Sequence, residues 1–414
     1  MDLADHLFRR ESGRLVATMT RIFGIQNLAL AEDVVQDAFC RAVELWKLRG
    51  VPDNPSAWLM AAARNRALDI LRRERTARTF APELGRLLES EWTLAPAVDR
   101  MLEPDAIKDD VLRMMFTCCH PRISEEAQVS LILHILCGFS VREIAAAFLA
   151  TPSAIEKRLT RAKKTLAGTR TLFDLSEADV ARRLPVVQRG LYLLFNEGYH
   201  GASPQSAIRV ELCEEAIRLT DVLVAHPAAS VPSTLALAAL MRLHAARLPG
   251  RLDAAGKLSS FFEQDRSTWD TGLIAEGQRL LDLAATGTFV SVYHVEAAIA
   301  AVHAAAPRPQ DTDWATIVGL YDVLLAMQPS PVIAVARAIA VGESEGPDRG
   351  LSELRALAGD DRLVPYPFYA AALGELELRR GEADAARSHL RAAVDAARNP
   401  TERTYLERRL IECG

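Results

Sequence analysis

The sequence predicts an all-α protein, with two small helical domains followed by a C-terminal run of helical hairpins. Apolar residues recur at three- and four-residue spacing along most of the chain. Alternating β-branched stretches are scarce, and the one long segment without periodicity, 79–107, carries Pro82, Pro96 and Pro104 and reads as a linker. Half of the 414 residues are hydrophobic, enough for two or three packed domains. The boundaries fall at 1–78, 79–107, 108–170 and 173–414.

The first unit centres on two helices. In AEDVVQDAFCRAVELW (31–46), Val34, Ala38, Ala42 and Leu45 form one side, and Asp33, Gln36 and Asp37 lie together on the other. A loop, GVPDNPSAW (50–58), leads into LMAAARNRALDILRRERTAR. There Leu59, Ala63, Leu68 and Leu71 suit a core, and Arg64, Asn65, Arg72, Arg73 and Arg75 suit a surface. Trp58 stands at the helix entrance, where it can pack or present an aromatic platform. Residues 64–78 hold six arginines against Asp69 and Glu74, and residues 81–110 hold eight acids against Arg86, Arg100 and Lys108. A basic segment followed by an acidic one implies two different surfaces to be met.

The second unit reads as a helix-turn-helix. Ser124 opens a helix that ends at Gly138, a residue suited to a left-handed C-terminal cap. Ser140-Val-Arg-Glu143 is a capping box. Thr151 caps the next helix, with Pro152 in its first turn, where no N–H is missed. Ile155, Leu159, Ala162 and Leu166 make its apolar stripe. Ser153, Glu156, Lys157, Thr160 and Lys164 point elsewhere, flanked by Arg158, Arg161 and Lys163. Three of the chain's six lysines sit on this helix, in a protein of net charge −5. Such a helix can place side chains on base edges in the major groove while its cations hold phosphates.

The C-terminal part carries a repeat signal. In 367–400, Leu373, Gly374, Gly381, Ala386, Leu390, Ala393 and Pro400 fall near the small and apolar positions of a 34-residue tetratricopeptide unit. Residues 331–364 match with Ala338 and Leu354 in register, and 232–247 and 292–327 are further helical pairs. Stacked hairpins give a solenoid, and a plain bundle is the alternative. In YLLFNEGYHG (192–201), Tyr192, Phe195 and Tyr199 have core spacing. In DRSTWD (265–270), Asp265, Arg266 and Asp270 suit local caps and ion pairs.

Little suggests catalysis. Cys118, Cys119 and His120 with His134 and Cys137 lack the spacing of a tetrahedral metal site, and no phosphate-binding glycine loop or nucleophile elbow is present. No catalytic residue, metal or cofactor is expected. The six cysteines lack regular spacing and suit reduced thiols. No apolar run is long enough to span a bilayer, and the first residues do not form a signal peptide, so a cytoplasmic location is expected.

The order AEDVVQDAF…NPSAWLMAAARNRALDILRRE…GFSVREIAAAF…TPSAIEKRLTRAKKTL resembles the extracytoplasmic-function sigma factors of the sigma-70 family. The likeness covers about 170 residues, as regions 2 and 4 joined by a linker. The further 240 or so residues resemble a subgroup with a helical C-terminal extension. The resemblance implies that Asp33, Gln36, Asp37 and Phe39 dock on the clamp helices of the polymerase β′ subunit, and that region 4 meets the β flap. It implies that Asn54, Trp58, Arg64, Asn65, Arg72, Arg73 and Arg75 melt and read the −10 element. Ser153, Lys157, Arg158, Arg161 and Lys164 would read the −35 element. The acidic linker would thread a positively charged polymerase channel. The expected function is promoter-directed transcription initiation with core RNA polymerase, regulated by the C-terminal domain through the sigma regions or another partner. The alternatives are a helix-turn-helix regulator that works without polymerase and a protein-binding scaffold.

Overall fold

The computed structural model describes residues 2–73, 104–148, 150–168, 177–200, 208–251, 258–397 and 400–413. Arg75 and most of the expected linker lie outside them. Among the described residues regular structure is helical, without a strand. The chain divides into two compact units, Met1–Leu194 with Ala225–Ala229, and Phe195–Val224 with Ser230–Gly414.

In the first unit, α1 (Asp2–Phe23) is central. Its Leu15, Met19, Ile22 and Phe23 are fully buried, and it packs on α2 (Leu28–Arg49), α3 (Pro55–Arg73) and α4 (Pro104–Cys118). Gly24 at φ 83° ends α1, and Gly50 at φ 79° ends α2, both in the region that favours glycine. The chain continues through α5 (Glu125–Leu131), a π turn (Ile132–Leu136), α6 (Val141–Ala147), α7 (Pro152–Ala167) and the first part of α8 (Glu177–His200).

The segments read from sequence as two separate small domains close on each other within this unit. A Cβ on Gly13 would stand 2.2 Å from the Leu136 carbonyl oxygen, so α1 lies directly on the π turn. Arg21 reaches Asp110 of α4 at 3.3 Å. Lys163 of α7 grips both carboxylate oxygens of Glu32 in α2, at 2.7 and 2.8 Å. Arg183 of α8 donates to the Phe116 carbonyl at 3.0 Å.

The second unit stacks helical hairpins. Its helices are the end of α8, α9 (Val210–Ala225), α10 (Pro232–Ala245), α11 (Thr271–Ala284), α12 (Val292–Ala305), α13 (Trp314–Met327), α14 (Pro331–Glu345), α15 (Pro347–Ala356), α16 (Pro367–Arg379), α17 (Ala383–Asp395) and α18 (Pro400–Ile411). The 331–364 and 367–400 patterns correspond to α14–α15 and α16–α17. Val335, Leu351, Leu354, Leu373 and Leu376 share one core cluster. Burying a leucine of this kind contributes about 1.5–3 kcal/mol. Glycines set the closest approaches: a Cβ on Gly350 would meet the Gly342 Cα at 2.7 Å, and one on Gly374 would meet Leu390 at 2.8 Å. Among the described residues, no helix is long and apolar enough to cross a membrane.

Candidate nucleic-acid interface

The helix-turn-helix is built as its sequence specifies. Ser140 and Glu143 cap reciprocally, at 2.8 Å from the Ser140 N–H and 3.3 Å to the Ser140 hydroxyl. The Thr151 hydroxyl accepts from the Ala154 N–H at 3.3 Å, with Pro152 in the first turn of α7. Ile155, Leu159, Ala162 and Leu166 are all buried. Gly138 takes φ 65° at the turn. Ser124 holds the N-cap backbone position of α5 but makes no side-chain cap.

That packing divides the cations of α7 into two sets. Lys157, Arg161 and Lys164 are exposed, together with Ser153, and no ion pair engages the three cations among the described residues. Arg158 is half-buried, paired with Glu126 at 2.9 Å and stacked over Phe148 at 5.6 Å. Lys163 is half-buried on Glu32. Lys157 and Arg161 line an open cavity of about 500 Å³ between α5 and α7, with Arg122 and Thr165. The expected −35 set is therefore split. Four members present outward, while Arg158 is tied into the protein because a carboxylate and a ring of the preceding helices lie within its reach.

In the region-2 part, Asp33, Gln36 and Asp37 share an exposed face of α2. Asp37 there accepts from Arg66 at 3.1 Å. Phe39, assigned to that docking face by resemblance, is instead 8% exposed. Val35, Ala38, Phe39 and Ala42 fall at i, i+3, i+4 and i+7 and are all buried, so Phe39 closes the apolar face. Leu45, read as core, is 37% exposed, past the point where α2 is covered.

Around the 50–58 loop, the Asn54 side chain caps α3 by accepting from the Ala57 N–H at 3.0 Å. Trp58 is half-buried and meets Trp46 edge to face at 5.6 Å. Both readings of Trp58 thus have a structural basis, since one edge packs while the ring also lines an open cavity of about 420 Å³. Arg41, Leu45, Ala61 and Asn65 share that lining. Arg41 was not singled out in the sequence; its signal was its place one turn beyond Asp37 on the exposed side of α2. Arg64 donates to Asn65 at 3.2 Å. Arg72 and Arg73 close α3, and Arg75 lies outside the described residues.

Cys118, Cys119 and Cys137 are buried free thiols, with Cys118 pushed up to about 12 by burial. His134 faces the Phe139 carbonyl at 2.9 Å and is held below the usual imidazole range by burial. Asp265 and Asp270 cap, as expected, onto Ser267 and Leu273. Among the described residues Arg266 forms no ion pair. It is buried and donates to the His303 and Ala306 carbonyls and to the Thr312 hydroxyl.

A capped helix-turn-helix whose outward cations have no ion pair among the described residues, in one compact unit with a basic helix and an aromatic cavity, is the framework of a DNA-binding protein of transcription. Residues 7–77 match the family described as sigma-70 region 2, and residues 113–166 match sigma-70 region 4. Residues 183–285 match a family of unknown function, DUF6596. An uncharacterized protein of Rhizobium meliloti (strain 1021), R00370, is 38% identical over 388 residues, covering 93% of this chain and 90% of its own. No solved structure matches. The chain belongs to the sigma-70 family, as an extracytoplasmic-function-like RNA polymerase sigma factor with a C-terminal extension.

Proposed function

We propose that this sigma factor binds core polymerase through the exposed Asp33–Gln36–Asp37 face of α2 and reads the −35 element with α7. In this reading Ser153, Lys157, Arg161 and Lys164 face DNA, while Arg158 orients the helix from behind. The cavity beside Trp58 and Asn65 receives unstacked bases of the −10 strand, and Arg64, Arg72, Arg73 and Arg75 of the same basic segment supply the cations, an aromatic platform with cations suiting bases that have left the duplex. Asn54 sets the start of α3. The single observation that carries this reading is the division of cations on α7, with three exposed and without an ion pair among the described residues, on a helix whose other cations are held by the protein.

The compact first unit adds a condition. With Lys163 on Glu32, α7 is held against region 2, whereas two promoter elements apart on a duplex need the two parts separated. Polymerase binding opens the unit in this proposal, and the C-terminal unit regulates that step. Run-off transcription tests the reading. Full-length protein with core polymerase should initiate at specific promoters, and Asp33→Arg/Asp37→Arg should abolish initiation and co-purification with core while the helical circular dichroism stays unchanged. Specific duplex binding by the isolated protein, with no gain on adding core, would instead mark a conventional regulator.

A further inference from the structure

Within the second unit, a cluster of aromatic rings encloses two guanidinium groups. Arg247 follows α10 and lies 4.7 Å from the Phe261 ring and 5.3 Å from the Trp269 ring. Arg266 stands 5.0 and 5.1 Å from the same two rings. His303 is 4.6 Å from Phe261 and 5.3 Å from Trp314, and the exposed Phe262 continues the surface at 6.0 Å from Trp314. The two arginines differ in one respect. Arg266 is accounted for by the carbonyls that end α12 and by Thr312. Arg247 has neither a carboxylate nor a hydrogen-bond acceptor among the described residues, and its Nε is buried without a partner. The Nε of Arg266, the Nδ1 of His303, the Nε1 of Trp269 and the Oε1 of Gln264 are likewise buried and unpartnered.

Ring faces attract a cation, the more strongly when it is desolvated. They do not replace an anion, because enclosing a charge without a counter-charge costs more than the rings return. Burial holds Arg247 below the usual guanidinium range, and the neighbouring Arg251 adds to the effect. Arg247 further opposes Arg266. His303 is pushed down to about 3 by burial and by these two arginines, so it is neutral and adds no charge. Phe261, His303 and Trp314 each keep partial exposure, so the cluster is open to solvent on one side.

We propose that Arg247 and the surrounding rings form a binding site for a small organic anion. Its carboxylate or phosphate faces the Arg247 guanidinium and its body lies against Phe261 and Trp314. The charge that the described residues leave uncompensated is the charge the ligand supplies. The site is separate from the DNA-facing residues and does not depend on their assignment.

The experiment is a thermal-melting and calorimetric titration of the full-length protein with inorganic phosphate, citrate and adenosine monophosphate, against sodium chloride of matched ionic strength. At about 100 times its Kd, a ligand of this site should raise the melting midpoint of the C-terminal unit by about 5–10 °C. A response to citrate alone assigns a carboxylate, and one to phosphate or the nucleotide assigns a phosphoryl group. Arg247→Gln should weaken that response at least tenfold, yet melt no lower than wild type without ligand, because it removes an uncompensated charge. The proposal is overturned if no anion acts beyond the chloride control, if Arg247→Gln responds as wild type does, or if the unliganded variant melts several degrees lower. Should that variant not fold, the wild-type titration decides alone.

Discussion

Asp110 sits in the joint between the two sigma regions and makes that joint dependent on pH. It is 0% exposed, one oxygen meets Arg21 at 3.3 Å, and the other is buried without a partner. Burial raises its pKa from 3.8 to about 6, against the opposing pull of Arg21. That rise amounts to about 3 kcal/mol, at 1.36 kcal/mol per pKa unit. The folded form binds this proton more tightly than the unfolded chain does. The stabilisation is therefore complete below pH 4 and disappears as pH rises through about 6. Asp110→Asn removes the ionisation. At pH 8 the variant should be more stable than wild type, by an amount approaching about 3 kcal/mol less the lost contact with Arg21, and the two should converge toward pH 4. Urea melts between pH 4 and 8, followed by circular dichroism and by hydrogen exchange in α1 and α4, measure the difference directly. A variant less stable than wild type at pH 8, or one that keeps the wild-type slope between pH 4 and 6, would refute the argument.

Lys163→Glu should loosen α7 from α2, replacing an ion pair worth about 0.5–1 kcal/mol with a like-charge repulsion. Faster hydrogen exchange at 25–27 and 160–167, restored by the exchanged pair Glu32→Lys/Lys163→Glu, checks this; unchanged exchange in the single variant would count against the latch. Lys157→Ala and Arg161→Ala should each weaken −35 binding by holoenzyme by roughly 1–3 kcal/mol where a base contact is lost. Arg158→Ala should instead lower the melting temperature of the first unit with little change in base preference. Of the six cysteines, Cys40 is exposed and the other five are buried, so a thiol reagent should modify one rapidly in native protein and all six in denaturant.

The legible part of the fold was the part specified over short spans. The Ser140–Glu143 box, Thr151 with Pro152, and the stripe from Ile155 to Leu166 each involve residues within a turn or two, and each is present as written. The burial of Phe39 was legible too, since Val35, Ala38 and Ala42 share its spacing, although the family resemblance names it with the acidic residues of the same helix. What could not be read was set by partners distant in sequence. Nothing near Arg158 indicates Glu126, nothing near Lys163 indicates Glu32, and the acceptors of Arg266 lie on the far side of α11 in sequence. A basic helix looks uniform in sequence, and tertiary packing decides which of its charges remain free.

That division bears on how the protein grips DNA. The cations committed to Glu126 and Glu32 do different work: Arg158 ties α7 to α5 inside the helix-turn-helix, while Lys163 ties it to region 2. Separating the regions leaves the first contact intact and breaks the second. The helix-turn-helix would then move as a body, keeping the presentation of Lys157, Arg161 and Lys164 and adding Lys163 to the charge available for phosphate. The forces on the joint favour such a step. Lys163 and Glu32 hold it by no more than about 1 kcal/mol, and Asp110 is a buried carboxylate whose ionisation burial disfavours. Apolar packing, such as α1 against the π turn at Gly13 and Leu136, must supply the rest. A partner that covers the same apolar surfaces competes directly with that packing to open the unit.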